Sequence, residues 1–128
     1  MTDLALGRTA SASSTQGSNS AAKAVDGDPA SRWASGWSDN QYVQVDLGSA
    51  KTVGRVILRW ETAYGSSYRI QTSQDGAAWT TVAQTTTGDG GVDNVAFAPV
   101  GARYVRMQGV KRATGYGYSL YSFEVYGR

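Results

Sequence analysis

Cysteine and histidine are both absent from this chain. Without cysteine there are no disulfides and no thiolate metal sites. Without histidine the commonest general base near neutral pH and the commonest zinc ligand are missing. Charge is scarce: 12 basic and 10 acidic residues in 128 leave a net charge of +2. No basic run or arginine-rich stripe accompanies the pI near 9.0, so nucleic acid is not expected as a partner. No apolar run approaches the roughly 20 residues that a membrane helix needs. Met1 to Thr9 is not a signal peptide, because Asp3 stands where basic residues belong and the apolar stretch is too short. Two readings of the compartment remain open: a cytoplasmic protein, or a domain cut from a longer secreted one.

Glycine, by contrast, is plentiful at 16 residues, which points to many turns. Leu4 to Leu6 are expected to pair at a sheet edge, and Thr9 to Ser20 reads as an irregular polar loop. Ala21 to Val25 makes one helical turn ended by Gly27. From Gln41 onward the chain alternates with period two. Val43, Val45 and Leu47 alternate with Tyr42, Gln44 and Asp46 in a strand ended by Gly48 and Ser49. Val53 to Trp60 reads as a central strand covered on both faces. Further strands are expected at Tyr68 to Ser73, Trp79 to Ala83, Val92 to Phe97, Arg103 to Gln108 and Leu120 to Tyr126. Short strands between turn signals, with no long amphipathic helix, define an all-β, antiparallel sandwich or barrel in a single domain, 1–128.

The chemistry gathers around Asp26 to Trp37, DGDPASRWASGW. Asp26, Asp28 and Ser31 place three oxygen-bearing side chains in six residues, a pattern suited to calcium, which takes about 6–8 oxygen ligands. The alternative is that Asp26 and Asp28 only cap a turn. Glu124 lies between Phe123 and Val125, with Ser122 and Tyr126 on its own face of the strand. Trp37, between Gly36 and Ser38, is hard to bury, and Tyr64, Tyr118 and Tyr121 lie in two further loops. Sugars present apolar C–H faces that pack on such rings. Arg32 offers forked donors for vicinal hydroxyls, and Glu61 offers an acceptor for hydroxyls or for an ammonium. Glu61 alternatively forms a surface pair with Arg59 or Lys111, worth under about 1 kcal/mol. Trp33, Trp60 and Trp79 are expected in the core.

Five segments in order carry a resemblance: AVDGDPASRW, the strand ending QVDLG, WETAYGSSYRIQTSQDGAAWT, ARYVRM and YSLYSFEVYG. Together they resemble the discoidin, or coagulation-factor type C, superfamily, and within it the family 32 carbohydrate-binding modules. The resemblance covers Leu4 to Gly127. It implies an eight-stranded jelly-roll sandwich with ligand loops at one end. It also implies a non-catalytic module that holds a secreted bacterial β-1,3-glucanase or chitosanase on its polysaccharide, as a monomeric unit beside an attached catalytic domain. The resemblance adds the Lys23 carbonyl and the Glu124 carboxylate to a structural calcium site. Galactose-binding members use a histidine, which this chain lacks. Chitosan binders tend to carry a second acidic residue near Thr15 or Gln16. The neutral Gln16 tilts the expectation towards a neutral β-glucan and leaves chitosan open.

Three other classes compete. A glycoside hydrolase needs two carboxylates about 5–10 Å apart flanking the bond. Glu61 with Asp39 is the conceivable pair, but shallow loops on a small sandwich offer little pocket. A phospholipid-binding relative inserts apolar spikes beside basic residues, whereas these loop aromatics sit among Ser, Gly and Asp. A protein-adhesion module is the remaining alternative.

Overall fold

A computed structural model describes residues 2–127. The strands are β1 (Thr9–Ala12), β2 (Trp33–Ala34), β3 (Tyr42–Trp60), β4 (Gly65–Ser73), β5 (Thr80–Thr85), β6 (Val92–Arg112) and β7 (Ser119–Tyr126). A single 3-10 turn, Ala21–Ala24, is the helical turn expected there. Every strand pairing is antiparallel.

Four of the expected strands merge into two. Tyr42 to Leu47 and Val53 to Trp60 form the continuous β3, and Val92 to Phe97 joins Arg103 to Gln108 in β6. Gly48 does not end its strand. Its amide donates to Asp46 Oδ1 at 2.8 Å, and its φ of 89° lets the chain turn a corner. Between Asp46 and Lys51 the register shifts, so β3 bends from one layer into the other without leaving the sheet. The first half of β3 pairs with β1 and the last part of β6, which pairs with β4, and β4 in turn with the edge strand β5. The second half pairs with β7 and the first part of β6, and β7 pairs with β2.

Both halves bury one face in a common core. Val43, Val45, Tyr68, Ile70, Val105 and Met107 come from the first, and Val56, Leu58, Trp60, Leu120, Phe123 and Val125 from the second. This is the jelly-roll sandwich expected of the sequence. The second half of β3 is not covered on both faces, however: Val56, Leu58 and Trp60 are buried, whereas Ile57 is half-buried and Arg59 exposed. Thr9 to Ala12 is a strand rather than loop. Only alanines, Ala10 and Ala12, face inward there, too small to give an alternating apolar signal. Leu4 to Leu6 forms a turn bound to β7 by one bond, Leu4 N–H to the Val125 carbonyl at 2.7 Å.

The tryptophans divide. Trp33 is fully buried, its indole donating to the Ser14 carbonyl at 3.1 Å. Trp60 is buried and donates to Asp93 at 3.0 Å. Trp79 corrects the expectation. It sits half-exposed just before β5, with the Arg106 guanidinium 4.0 Å from its ring. Arg106 also lies 3.9 Å from the Tyr42 ring, so Trp79 clamps the sheet's outer face instead of filling the core.

Candidate carbohydrate-binding cleft

The loops at one end of the sandwich enclose a cleft of about 260 Å³. Gln16, Arg32, Trp37, Glu61, Tyr116 and Tyr118 contribute to its lining. The six arrive from five segments. Gln16 is on the loop after β1, and Arg32 immediately precedes β2. Trp37 is on the loop between β2 and β3, Glu61 is just past β3, and the tyrosines are between β6 and β7.

Polar groups define one side. Arg32 Nη1 donates to Ser119 Oγ at 2.7 Å and lies 4.0 Å from Glu61 Oε1. Glu61 Oε1 accepts the Ala63 amide at 3.2 Å. Burial alone would raise the Glu61 pKa. The Ala63 and Thr62 amides, the Thr62 hydroxyl and the Arg32 charge outweigh it and leave the carboxyl below its ordinary value. Glu61 is therefore an ionised acceptor near neutral pH. Its neighbour is Arg32, not the Arg59 or Lys111 of the surface-pair alternative, since Arg59 is committed to Glu124. Asp39 is not among the residues lining the cleft with Glu61. It is bound to Arg112, whose hydrogen bonds hold its carboxyl below the usual range.

Exposed rings define the other side. Trp37 is 60% exposed and Tyr116 is 61% exposed, unusual values for such large side chains. Their centroids are 5.4 Å apart with planes at 84°, so the two rings make a corner. Tyr116 is the site residue the sequence reading missed.

Tyr118 corrects the expectation in the opposite direction. It is fully buried, its ring stacks near Trp60 and its hydroxyl donates to the Asp39 carbonyl at 2.7 Å. With no exposed surface, the ring is closed to a ligand although it borders the cleft. Gly109 makes room for it: a Cβ there would stand 2.3 Å from the phenol carbon. Tyr64, unlike Tyr118, is absent from the cleft lining. It is half-buried against Gly90, and its carbonyl accepts the Ala113 amide at 3.0 Å. Tyr121 is the extra residue where the register shifts between Arg59 and Trp60. That bulge directs it to a different cleft, of about 380 Å³, beside Leu6, Asp28, Pro29, Arg59 and Glu124. The larger cleft is the poorer binding candidate because its carboxylates are already engaged. Asp3 caps the Ala5 and Val125 amides, Asp28 caps Ala30, and Glu124 pairs with Arg59.

The expected cation residues come together in part. Ser31 Oγ lies 2.6 Å from Asp26 Oδ2, 3.3 Å from the Lys23 carbonyl and 3.4 Å from the Asp28 carbonyl. One hydroxyl proton serves one acceptor at a time, so this knot of oxygens holds more lone pairs than donors. That is the donor set a hard cation prefers. The Asp28 carboxylate instead caps the Ala30 amide at 2.9 Å. Glu124 makes no hydrogen bond to these oxygens; its own accept from Arg59 Nε, Ser122 Oγ and the Tyr126 hydroxyl, each at 2.7 Å. Burial would raise its pKa, but those three partners prevail and lower it. Ser122 and Tyr126, read from the sequence as its neighbours on the strand face, are its hydrogen-bond partners.

Residues 9–123 match the F5/8 type C domain, and the chain belongs to that family. The fold is shared almost in full with chitosan-binding module 1 of a chitosanase/glucanase from Paenibacillus sp. IK-5. That module is 52% identical, with a TM-score of 0.96 over 99% of this chain and 100% of the other. Module 2 of the same enzyme, solved in complex with chitotriose, is 46% identical with a TM-score of 0.94, covering 98% and 100% of the two chains. The polysaccharide lyase 8 family protein HylA of Enterococcus faecalis is 34% identical over 112 residues, which is 81% of this chain. The chain spans only 8% of HylA's length.

Proposed function

We propose that the chain is a non-catalytic carbohydrate-binding module whose cleft takes a β-linked polysaccharide containing glucosamine, as in chitosan. The observation that carries this reading is one ionised carboxylate, Glu61, in a cleft whose exposed walls are the Trp37 and Tyr116 rings. The rings pack on the apolar face of a sugar, and the carboxylate accepts from an ammonium. Arg32 and Gln16 add donors for hydroxyls. Similarity to two chitosan-binding modules supports the same ligand class. A neutral β-glucan is the second reading, favoured by Arg32, which at 4.0 Å partly balances the charge of Glu61, and by the neutral Gln16. In either case the module is a single unit that anchors a larger polysaccharide-active enzyme, through an attached catalytic domain, to its substrate outside the cell. It works as a monomer.

Affinity gel electrophoresis with laminarin and soluble chitosan, at two salt concentrations, tests the proposal. Retardation by chitosan that fades with salt is expected. Glu61→Gln is expected to weaken chitosan binding by about tenfold or more and to remove most of the salt dependence. Retardation by laminarin that ignores salt would favour the neutral glucan. Unaltered migration in both gels would sink the glycan reading.

The proposal includes a structural calcium ion held by the Lys23 carbonyl, Asp26, Asp28 and Ser31, with water completing the shell. Glu124 Oε1, which accepts only the Tyr126 hydroxyl, keeps a lone pair with which it could join this set while Oε2 stays with Arg59. The ion would tie the loop before β2 to the 3-10 turn. A chelator is expected to lower Tm without unfolding the domain at room temperature, and added calcium to restore it; an unchanged Tm would remove the ion from the account.

A further inference from the structure

Trp37 and Tyr116 form the apolar half of the proposed site, yet they belong to different loops and meet only through an exposed edge contact. Burial therefore does not fix their mutual geometry. Arg112, the last residue of β6, lies between the two loops. Its Nε donates to Asp39 Oδ1 at 2.8 Å, and its own amide donates to the same oxygen at 3.1 Å. Asp39 stands two residues beyond Trp37, on the same loop. On the other side, Arg112 Nη1 reaches the carbonyls of Gly115 at 3.4 Å and Tyr116 at 3.3 Å. Among the described residues, Arg112 is the one side chain bonded both to the Trp37 loop and to residues 115–116.

We infer that Arg112 is a positioning residue for ligand binding: its guanidinium holds Trp37 and Tyr116 in register as one aromatic corner. The inference rests on the reading of this cleft as a glycan site. The fork geometry is what the role requires, because a guanidinium directs several donors in one plane and an ammonium does not. The Trp37 loop has independent ties to the sandwich. Tyr118 donates to the Asp39 carbonyl at 2.7 Å, Gln108 to Asn40 at 2.9 Å and the Gly109 amide to the Gln41 carbonyl at 2.8 Å. None of these reaches Tyr116. The two loops are also joined behind the rings, where Ser35 and Tyr118 exchange two hydrogen bonds of 2.9 Å and Gly117 packs on Ser35 and Gly36. Loss of Arg112 therefore leaves the loops attached and the fold intact while freeing the Tyr116 carbonyl, and with it the set of the Tyr116 ring against Trp37. The Arg112–Asp39 pair is itself half-exposed, and such pairs add little to global stability.

The experiment is NMR on the free domain together with calorimetric titration of chitotriose, for the wild type, Arg112→Gln and Arg103→Gln. Arg103 pairs with Asp46 away from the cleft, so its variant controls for a lost positive charge. Cross-peaks between the indole of Trp37 and the ring of Tyr116 are expected in the wild type and in Arg103→Gln, and are expected to vanish in Arg112→Gln. Chitotriose affinity is expected to fall about tenfold in Arg112→Gln alone, with Tm nearly unchanged. Cross-peaks that persist in Arg112→Gln, or an equal loss of affinity in Arg103→Gln, would overturn the inference. Should Arg112→Gln fail to fold, Asp39→Ala removes the acceptor of the same link from the other loop and is read by the same criteria. A wild type that shows the cross-peaks but does not bind chitotriose would refute the ligand reading and leave the positioning role to stand on the ring geometry.

Discussion

Trp37→Ala is expected to weaken polysaccharide binding by about 30-fold or more while leaving Tm within a few degrees of the wild type. The ring is 60% exposed, and its one aromatic neighbour is Tyr116 at 5.4 Å. Truncation therefore opens no core cavity. It removes the flat surface on which a pyranose would stack, and no other exposed tryptophan lines the cleft among the described residues. Retardation in gels containing soluble chitosan, with a thermal melt on the same samples, separates the two effects. Full binding by Trp37→Ala would remove the cleft from consideration, and a collapse of Tm would show that the ring is structural.

The opposite pattern is expected a few residues from Tyr116. Tyr118→Ala is expected to destabilise the domain by about 3–5 kcal/mol, the usual cost of emptying a buried aromatic site. Tyr118 has no exposed surface, packs near Trp60 and over Gly109, and anchors Asp39 through its hydroxyl. Tyr118→Phe keeps the ring and loses one hydrogen bond, for about 1 kcal/mol. Urea denaturation of the two variants measures both values. If Tyr118→Ala unfolds at the wild-type urea concentration, the ring is not buried and its return to the ligand surface would follow. Thus two aromatics bordering one cleft are assigned different work by exposure alone: Trp37 for the ligand, Tyr118 for the core.

The strands were legible because period-two alternation of Val, Leu and Ile survives in β3, β4, β6 and β7. Where the signal failed, the physical cause is local. In β1 only alanines face inward. At Gly48 a glycine at φ 89° made a bend inside a strand resemble its end. Trp79 looked like core on hydrophobicity, but a cation on its ring stabilises an outward position that no apolar pattern reports.

The site was legible in its polar half. Arg32 and Glu61, singled out for their donors and acceptor, and Gln16, pointed to by the resemblance, meet in the cleft, and Trp37 joins them. The tyrosines were not separable from sequence, because three of them fall within six residues, Tyr116 to Tyr121. A bulge sends Tyr121 to another cleft, and a glycine at 109, distant in sequence, receives Tyr118. The signal for Tyr116 was nonetheless present. It lies between Gly115 and Gly117, as Trp37 lies beside Gly36, and the argument that exposes one exposes the other. Arg112 carried no signal of its own, since its role depends on two loops meeting across 73 residues of sequence separation from Asp39.

The most direct test of the central claim is a titration of the isotopically labelled domain with chitotriose, followed by amide and indole chemical shifts. The account predicts shifts concentrated at the Trp37 indole, at Tyr116 and Gly117, and at Glu61 to Ala63. Shifts centred instead on Pro29, Arg59 and Tyr121, or no shifts at millimolar ligand, would contradict it.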